Sequence, residues 1–336
     1  MDSTRTQVLV AGAGLAGTAT SMFLADRGIE PLVVERNPET SLRPKALEPI
    51  GLDRARELGA HVRFDTELVS FEQDTLGVTA RLVHRPTGTL SQVRADYMIA
   101  ADGHRSPIRE RLGVDTFRSG RVFLAGDAAR VTPPTGELGD STAIADGFDL
   151  AWKLAAVLRN QAGPGLLDSY DAERRPVAPE LRNLRLRSAA VLIDDEDPAL
   201  TEDPHRPSGR PGFRAPHVPL RQGGKPVSTV DFFGRDWVLL TGTEGGVWHE
   251  AAKHVADRLG IVVRTVGLGP GLTDPDDRLV SAYGIGHGGA SLVRPDGVVA
   301  WRTDFEVADA AGTLQTVLTR LLARVPSVAV PAGTAR

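Results

Sequence analysis

Short apolar runs, each ended by a glycine or an acid, punctuate the first part of the chain. TQVLVA (6–11) is short and apolar and meets a glycine turn at once, which predicts a buried parallel strand. Residues 15–27 follow with a helical pattern closed by Gly28, and PLVVE (31–35) is a second apolar run. Strand, helix and strand in that order predict a βαβ opening. Between 61 and 94 the runs HVRF, ELVSFEQ, GVTARLVH and LSQVR are β-rich and separated by turn residues such as RPTG (85–88). They predict an antiparallel ribbon beside the parallel sheet. DYMIAADG (96–103) and RVFLAGD (121–127) read as two further strands, each with an acid at its C-terminal edge.

The pattern then becomes helical from about 141 to 160, with more helix expected over 165–192. Residues 194–219 are rich in Pro, Asp and Gly, the composition of a linker. Beyond them lies a second α/β unit: strand WVLLTG (237–242), helix 248–259, strand IVVRTVGL (261–268), strands ASLVRP and GVVAWR (290–302), and helix 310–324. No internal repeat is present. The expected fold class is α/β, divided into 1–192, a linker at 193–211, and 212–326.

Composition narrows the partners. A length of 336 residues allows two domains, and 41% hydrophobic with 24% charged residues is ordinary for a globular protein. A formal net charge of −4 gives no electrostatic reason to expect nucleic acid or anionic membrane as partner. There is no cysteine, which excludes disulfides, thiolate metal sites and cysteine nucleophiles and fits a reducing cytoplasm. The polar N-terminus does not read as a secretory signal, and no stretch approaches 18 apolar residues. His249 and His254, the closest histidine pair, are spaced by five, unsuited to two ligands on one helical face. No metal site is expected.

The first chemical motif is Gly12-Ala-Gly14-Leu-Ala-Gly17, with Glu35 eighteen residues after the last glycine. Gly12 permits the tight turn, Gly14 lets a pyrophosphate approach the backbone, and Gly17 allows close helix–strand packing. The helix opening there offers free N–H groups and a positive dipole end. Glu35, at the tip of the second strand, can accept hydrogen bonds from ribose hydroxyls. Candidate contacts are Gly12, Gly14, Ala16, Gly17, Glu35 and Arg36. Glycine turns occur in many loops, but this one follows a strand, opens a helix and has its acid at the right distance. Alone it does not separate FAD from NAD.

Two later segments resemble the second and third flavin motifs of the p-hydroxybenzoate-hydroxylase-like FAD monooxygenases: IAADGHRSPIRERLG (99–113) and GRVFLAGDAARVTPPTGELGDSTAIADGFDLAWKLA (120–155). YDAERRP (170–176) follows them as in that family. The resemblance implies that Asp102-Gly103 lies in a segment serving both FAD and NAD(P)H, and that Asp127, next to Gly126, hydrogen-bonds the ribityl chain. It adds Pro134 and Gly139 to the cofactor-binding candidates. It also places Arg43 and Lys45 near the flavin sugar chain and phosphates, where a basic side chain fits. Read without it, Asp102 and Asp127 are helix-capping acids and Arg43 and Lys45 are solvated charges. PGFRAPHVPL (211–220) and LVRPDGVVAWR (292–302) look like the thioredoxin-like, cysteine-free tail of actinobacterial aromatic polyketide hydroxylases. That tail implies packing or subunit association, and Trp237 and Trp301 read as core residues.

The implied function is hydroxylation of an aromatic, polyketide-like molecule using FAD, NAD(P)H and O₂, through a flavin C4a-hydroperoxide. No side chain is singled out as catalytic acid or base. Two departures keep alternatives open: a flavoprotein that cyclises its substrate without net redox, or a non-catalytic reduced form. First, only eight residues separate SLRPKALE (41–48) from ELGAHVRF (57–64), and only DTFRS separates RLGV (111–114) from GRVFLAG. Family members hold a helical stretch in one place and the substrate-domain sheet in the other. Second, Glu137 and Asp140 stand where the family's helix start is glycine-rich, and negative charge there disfavours reduced flavin. A lowered reduction potential is expected. Arg130 stands where the family often has His, so no role transfers to it.

Overall fold

The computed structural model describes residues 3–40, 47–113, 116–130, 138–175 and 207–324. They fall into two compact units, the first within 1–159 and 167–189, the second within 160–166 and 190–336. In the first, β1 (Ser3–Ala11), α1 (Leu15–Asp26) and β2 (Leu32–Val34) form the expected βαβ, with β1 and β2 parallel. A second helix, α2 (Leu47–Glu57), leads to β3 (His61–Arg63), which pairs parallel to β2. HVRF is therefore an edge of the parallel sheet and not part of the ribbon. His61 and Arg63 are exposed and Val62 half-buried; an edge strand wetted on one face shows the same alternation as a ribbon strand.

The ribbon proper is β4 (Thr66–Gln73), β5 (Val78–His84) and β6 (Thr89–Ala100), paired antiparallel. LSQVR and DYMIAADG turn out to be one strand. β6 pairs with β5 through its first half and with β1, in parallel, from Gln92 to Ala100. Asp96 lies inside this strand, 3.6 Å from Arg5, and the pairing with β1 continues on either side of it. After α3 (Pro107–Leu112) and β7 (Arg118–Ser119), β8 (Val122–Leu124) joins β6 in parallel. Among the described residues two helices follow in this unit, α4 (Leu138–Leu158) and α5 (Asp168–Arg174). Helix expected over 165–192 begins as a 3-10 turn at Pro164–Leu167 before α5. Its part beyond 175, like 193–206 of the expected linker, lies outside the described residues.

β1 shows why the sheet is covered on both sides. Val8 and Val10 pack with Leu24 of α1 and Leu150 and Leu154 of α4, while Leu9 and Ala11 pack with Phe71, Ala80, Leu82 and Val93 of the ribbon and Ile108 of α3. Alternate residues point to opposite faces, so an unbroken apolar run is what a sheet between two layers requires. The cofactor motifs follow the C-terminal ends of four parallel strands, β1, β2, β6 and β8.

The second unit contains a small sheet of β9 (Pro219–Gln222), β10 (Lys225–Ser228) and β13 (Leu272–Thr273). Its main sheet has the order β12-β11-β14-β15, from β11 (Trp237–Thr241), β12 (Val263–Gly267), β14 (Ala290–Val293) and β15 (Val299–Thr303). β11 is parallel to β12 and antiparallel to β14, and β14 is antiparallel to β15. Among the described residues three helices accompany it: α6 (Gly246–Leu259), α7 (Leu279–Tyr283) and α8 (Ala310–Leu321). Trp237 is buried, and Trp301 packs edge-to-face on Trp248 at 5.4 Å between ring centroids.

Candidate cofactor site

The glycine turn between β1 and α1 is closed by geometry no other residue could take. Gly12 has φ +110°, and a Cβ there would overlap the carbonyl oxygen of Ala101; a Cβ at Gly17 would overlap the carbonyl oxygen of Gly12. Both obstacles are backbone, which cannot swing aside. Around Gly14, by contrast, an added Cβ would meet nothing within 4 Å. That open space faces an α1 N-terminus with no side-chain cap and no acid in its first turn, so the dipole and the first N–H groups are uncompensated by protein. A diphosphate fits this cradle.

Glu35, at the end of β2, is buried and already well occupied. Its Oε2 accepts from the Ala13 amide at 2.8 Å, and its Oε1 accepts from both the backbone and side-chain amides of Asn37 at 2.9 and 2.8 Å. Each carboxylate oxygen has two lone pairs, so Oε1 is filled and Oε2 keeps one for a ribose hydroxyl. Asn37 was not anticipated; its position two residues after the acid was the available signal. Arg36 is exposed, and its carbonyl accepts from Arg85. Together with Ala11, Gly12, Gly14 and Asp102, these residues line a cleft of about 220 Å³.

Asp102 reaches the cleft from the end of β6, and it also serves its own chain. It accepts from the Ser106 hydroxyl at 2.7 Å and the Ile108 amide at 3.4 Å, while Ser106 caps α3 through the Arg109 amide. The helix-capping reading of this acid is thus present alongside its place in the cleft. Burial holds its carboxyl above the usual carboxylate range, with the Ser106 hydrogen bond opposing. Arg109 then ties the second motif to the third: its guanidinium donates to the carbonyl oxygens of His104, Asp127 and Ala128 at 2.7–3.1 Å.

The third motif packs directly on the first. Gly126 has φ +59°, and a Cβ on it would lie 2.7 Å from Cβ of Ala16 and 3.3 Å from Cβ of Ala143. Ala16 is therefore a packing contact between the motifs. Asp127 opens a 3-10 turn (Gly126–Ala128) and is exposed, outside the lining of the cleft around Glu35 and Asp102. Beneath the turn, Asp146 of α4 is fully buried and accepts from the Gly126 amide at 3.1 Å, Arg174 Nε at 2.8 Å and Arg130 Nη2 at 3.3 Å. Arg130 thus has a structural partner where resemblance offered none. Burial pulls the Arg174 pKa down, but the charges of Asp146 and Asp149 and the Asp146 hydrogen bond together raise it. Tyr170, whose hydroxyl donates to the Leu124 carbonyl, is raised well above its ordinary value by burial and by Asp146. Asp146, Asp149 and Lys153 recur at helical spacing within an apolar run, and that was the signal for this buried polar face. Gly139 lies half-buried in the first turn of α4. Arg43, Lys45 and Pro134 lie outside the described residues.

Comparison with known proteins bears on this arrangement. The FAD binding domain family model matches in three pieces, residues 5–48, 45–117 and 114–184, and the aromatic-ring hydroxylase C-terminal model matches 208–325. Aklavinone 12-hydroxylase RdmE of Streptomyces purpurascens is 34% identical over 96% of this chain and 100% of its own. Tetracenomycin A2 monooxygenase-dioxygenase of Streptomyces glaucescens is 34% identical over 86% of this chain and 76% of its own. The crystal structure of aklavinone-11 hydroxylase in ternary complex with FAD and aklavinone superposes with a TM-score of 0.89 at 34% identity, covering 96% of this chain and 100% of that one. The alignment with RdmE runs over 537 positions against 336 residues here, so many of its positions are gaps in this chain. The family match is broken at 45–48 and 114–117, close to the two places where the motif spacing is short.

Proposed function

The chain belongs to the p-hydroxybenzoate-hydroxylase-like FAD monooxygenases, in their aromatic polyketide hydroxylase branch, and on that premise we propose that it hydroxylates an aromatic, polyketide-like small molecule with NAD(P)H and O₂. The balanced reaction consumes substrate, O₂, NAD(P)H and a proton and yields hydroxylated substrate, NAD(P)⁺ and water. FAD, when bound, supplies the hydride acceptance and oxygen activation. The protein's part is to hold and orient. With FAD bound, the α1 N-terminus would meet the diphosphate, Glu35 Oε2 would accept from the adenosine ribose, and Asp127 would present its carboxylate to the ribityl chain. Arg43 and Lys45 add positive charge to the phosphate side. One observation supports this reading above the rest: Gly12 closes against Ala101 and Gly126 against Ala16, so three motifs distant in sequence interlock around the β1–α1 turn.

The reading extends to the whole chain as an FAD domain (1–192), a linker (193–211) and a thioredoxin-like domain (212–326). The order β12-β11-β14-β15, with only β11–β12 parallel, supports that last assignment. Packing or subunit association is its role. Absence of cysteine supports a cytoplasmic setting.

The test is a visible spectrum of the purified protein before and after reduced nicotinamide, followed by mass analysis of an aromatic polyketide incubated in air. Bound flavin, prompt bleaching and a product gaining one oxygen are expected. A second reading, FAD held without redox turnover, is favoured by the breaks at 45–48 and 114–117; bound flavin that neither NADH nor NADPH bleaches would establish it instead. A colourless protein that takes up no flavin would sink both.

A further inference from the structure

We propose that Asp146 is a positioning residue for the flavin half of the cofactor, acting through the Gly126–Arg130 turn. The inference rests on the reading that Asp127 serves the ribityl chain. Asp127 is exposed, so where its carboxylate points is set by the backbone beneath it. That backbone is held at its first residue by Asp146, whose carboxylate accepts from the Gly126 amide at 3.1 Å. It is held at its last residue by the same group, which pairs with Arg130 at 3.3 Å. Arg130 also donates to the Arg174 carbonyl at 2.9 Å, and Arg174 Nε reaches Asp146 at 2.8 Å. One fully buried carboxylate therefore gathers donors from the turn, from its far end and from α5. Two cations, Arg130 and Arg174, converge on it and hold it in place. Gly126 must hold φ +59° with Ala16 and Ala143 pressed against it, so the turn has no slack to find another anchor.

A role confined to this turn makes a separable prediction. On that reading the diphosphate and adenosine would lie over the β1–α1 turn and Glu35, which Asp146 does not touch. Asp146→Asn is expected to weaken FAD binding at least tenfold, with ADP binding changed less than twofold and the visible band of any bound flavin altered in shape. Equal weakening of both ligands, or no change in either, would overturn the proposal. If Asp146→Asn fails to fold by circular dichroism, Arg174→Lys, which keeps the charge and loses the Nε donor, should show the same split at smaller size. Loss of folding in both variants marks the cluster as purely structural and also overturns it. Wild-type protein binding ADP but no FAD would instead defeat the functional reading itself.

Discussion

A single methyl group is enough to test the glycine turn. Gly12→Ala would need a left-handed backbone and would press Cβ into the Ala101 carbonyl. Backbone strain alone costs roughly 1–3 kcal/mol, so a lowered thermal midpoint and loss of FAD binding are expected; unchanged flavin retention would contradict the closed geometry. Glu35→Gln replaces one acceptor oxygen with an amide –NH₂ donor facing either the Ala13 N–H or the two Asn37 donors. A mispaired buried donor costs about 1–3 kcal/mol, and FAD titration should show a dissociation constant raised about tenfold or more. Asp102 makes a pH prediction. Its folded pKa is raised, so the native state holds the proton more tightly than the unfolded chain, and the fold weakens relative to its acid form as the pH climbs past the usual carboxylate value near ~3.9. Denaturant titrations of Asp102→Asn against wild type should therefore shift in the variant's favour as pH rises through that range and level off once Asp102 is ionised. A constant difference at every pH would remove burial as the cause. At this scale the sequence exposed Gly12, Gly14, Gly17 and Glu35, because backbone close approach leaves glycine as its mark. It hid Asn37 and Asp146, since amides and acids normally mark surface.

Elements were legible where their burial was uniform. β2, β8, β11 and the Val8–Ala11 half of β1 are covered on both faces, and their unbroken apolar runs say so. β3 was misassigned because a wetted edge strand has the alternation of a ribbon. β6 was divided because one acid inside a strand looks like a stop. α4 was legible as a helix, but its buried Asp146, paired below the surface, was not. The start of α4 supports a prediction of its own: Asp140 is exposed in the first turn, where negative charge satisfies the helix dipole instead of a reduced ring. One such charge is worth about 0.3–1 kcal/mol, which for a two-electron couple is roughly 5–20 mV. Asp140→Asn should raise the midpoint potential of bound flavin by about that amount in a dye-equilibration measurement, and a fall would reverse the expected sign.

The whole molecule is a shortened relative of enzymes that match it from end to end. Both joints could be placed from motif spacing, because the motifs on either side kept their order; what replaces the segments between them could not, since absent residues leave no pattern. Water exclusion in a hydroxylase depends on covering the reacting centre. With less chain available to cover it, the proposed reaction should be poorly coupled: oxygen uptake driven by reduced nicotinamide should return more than about half of its electrons as hydrogen peroxide. Tight coupling with product would show that another part of the chain closes the site. The length of β6 has one more effect. Its twelve residues run from the Thr89 hairpin, through the centre of the sheet, to Ala100, one residue short of the carbonyl on which the dinucleotide turn rests. A stiff strand transmits displacement along its axis, so the outer hairpin and the cofactor's seat share one rod, and a graft or tag placed at that remote bend would be felt at the diphosphate.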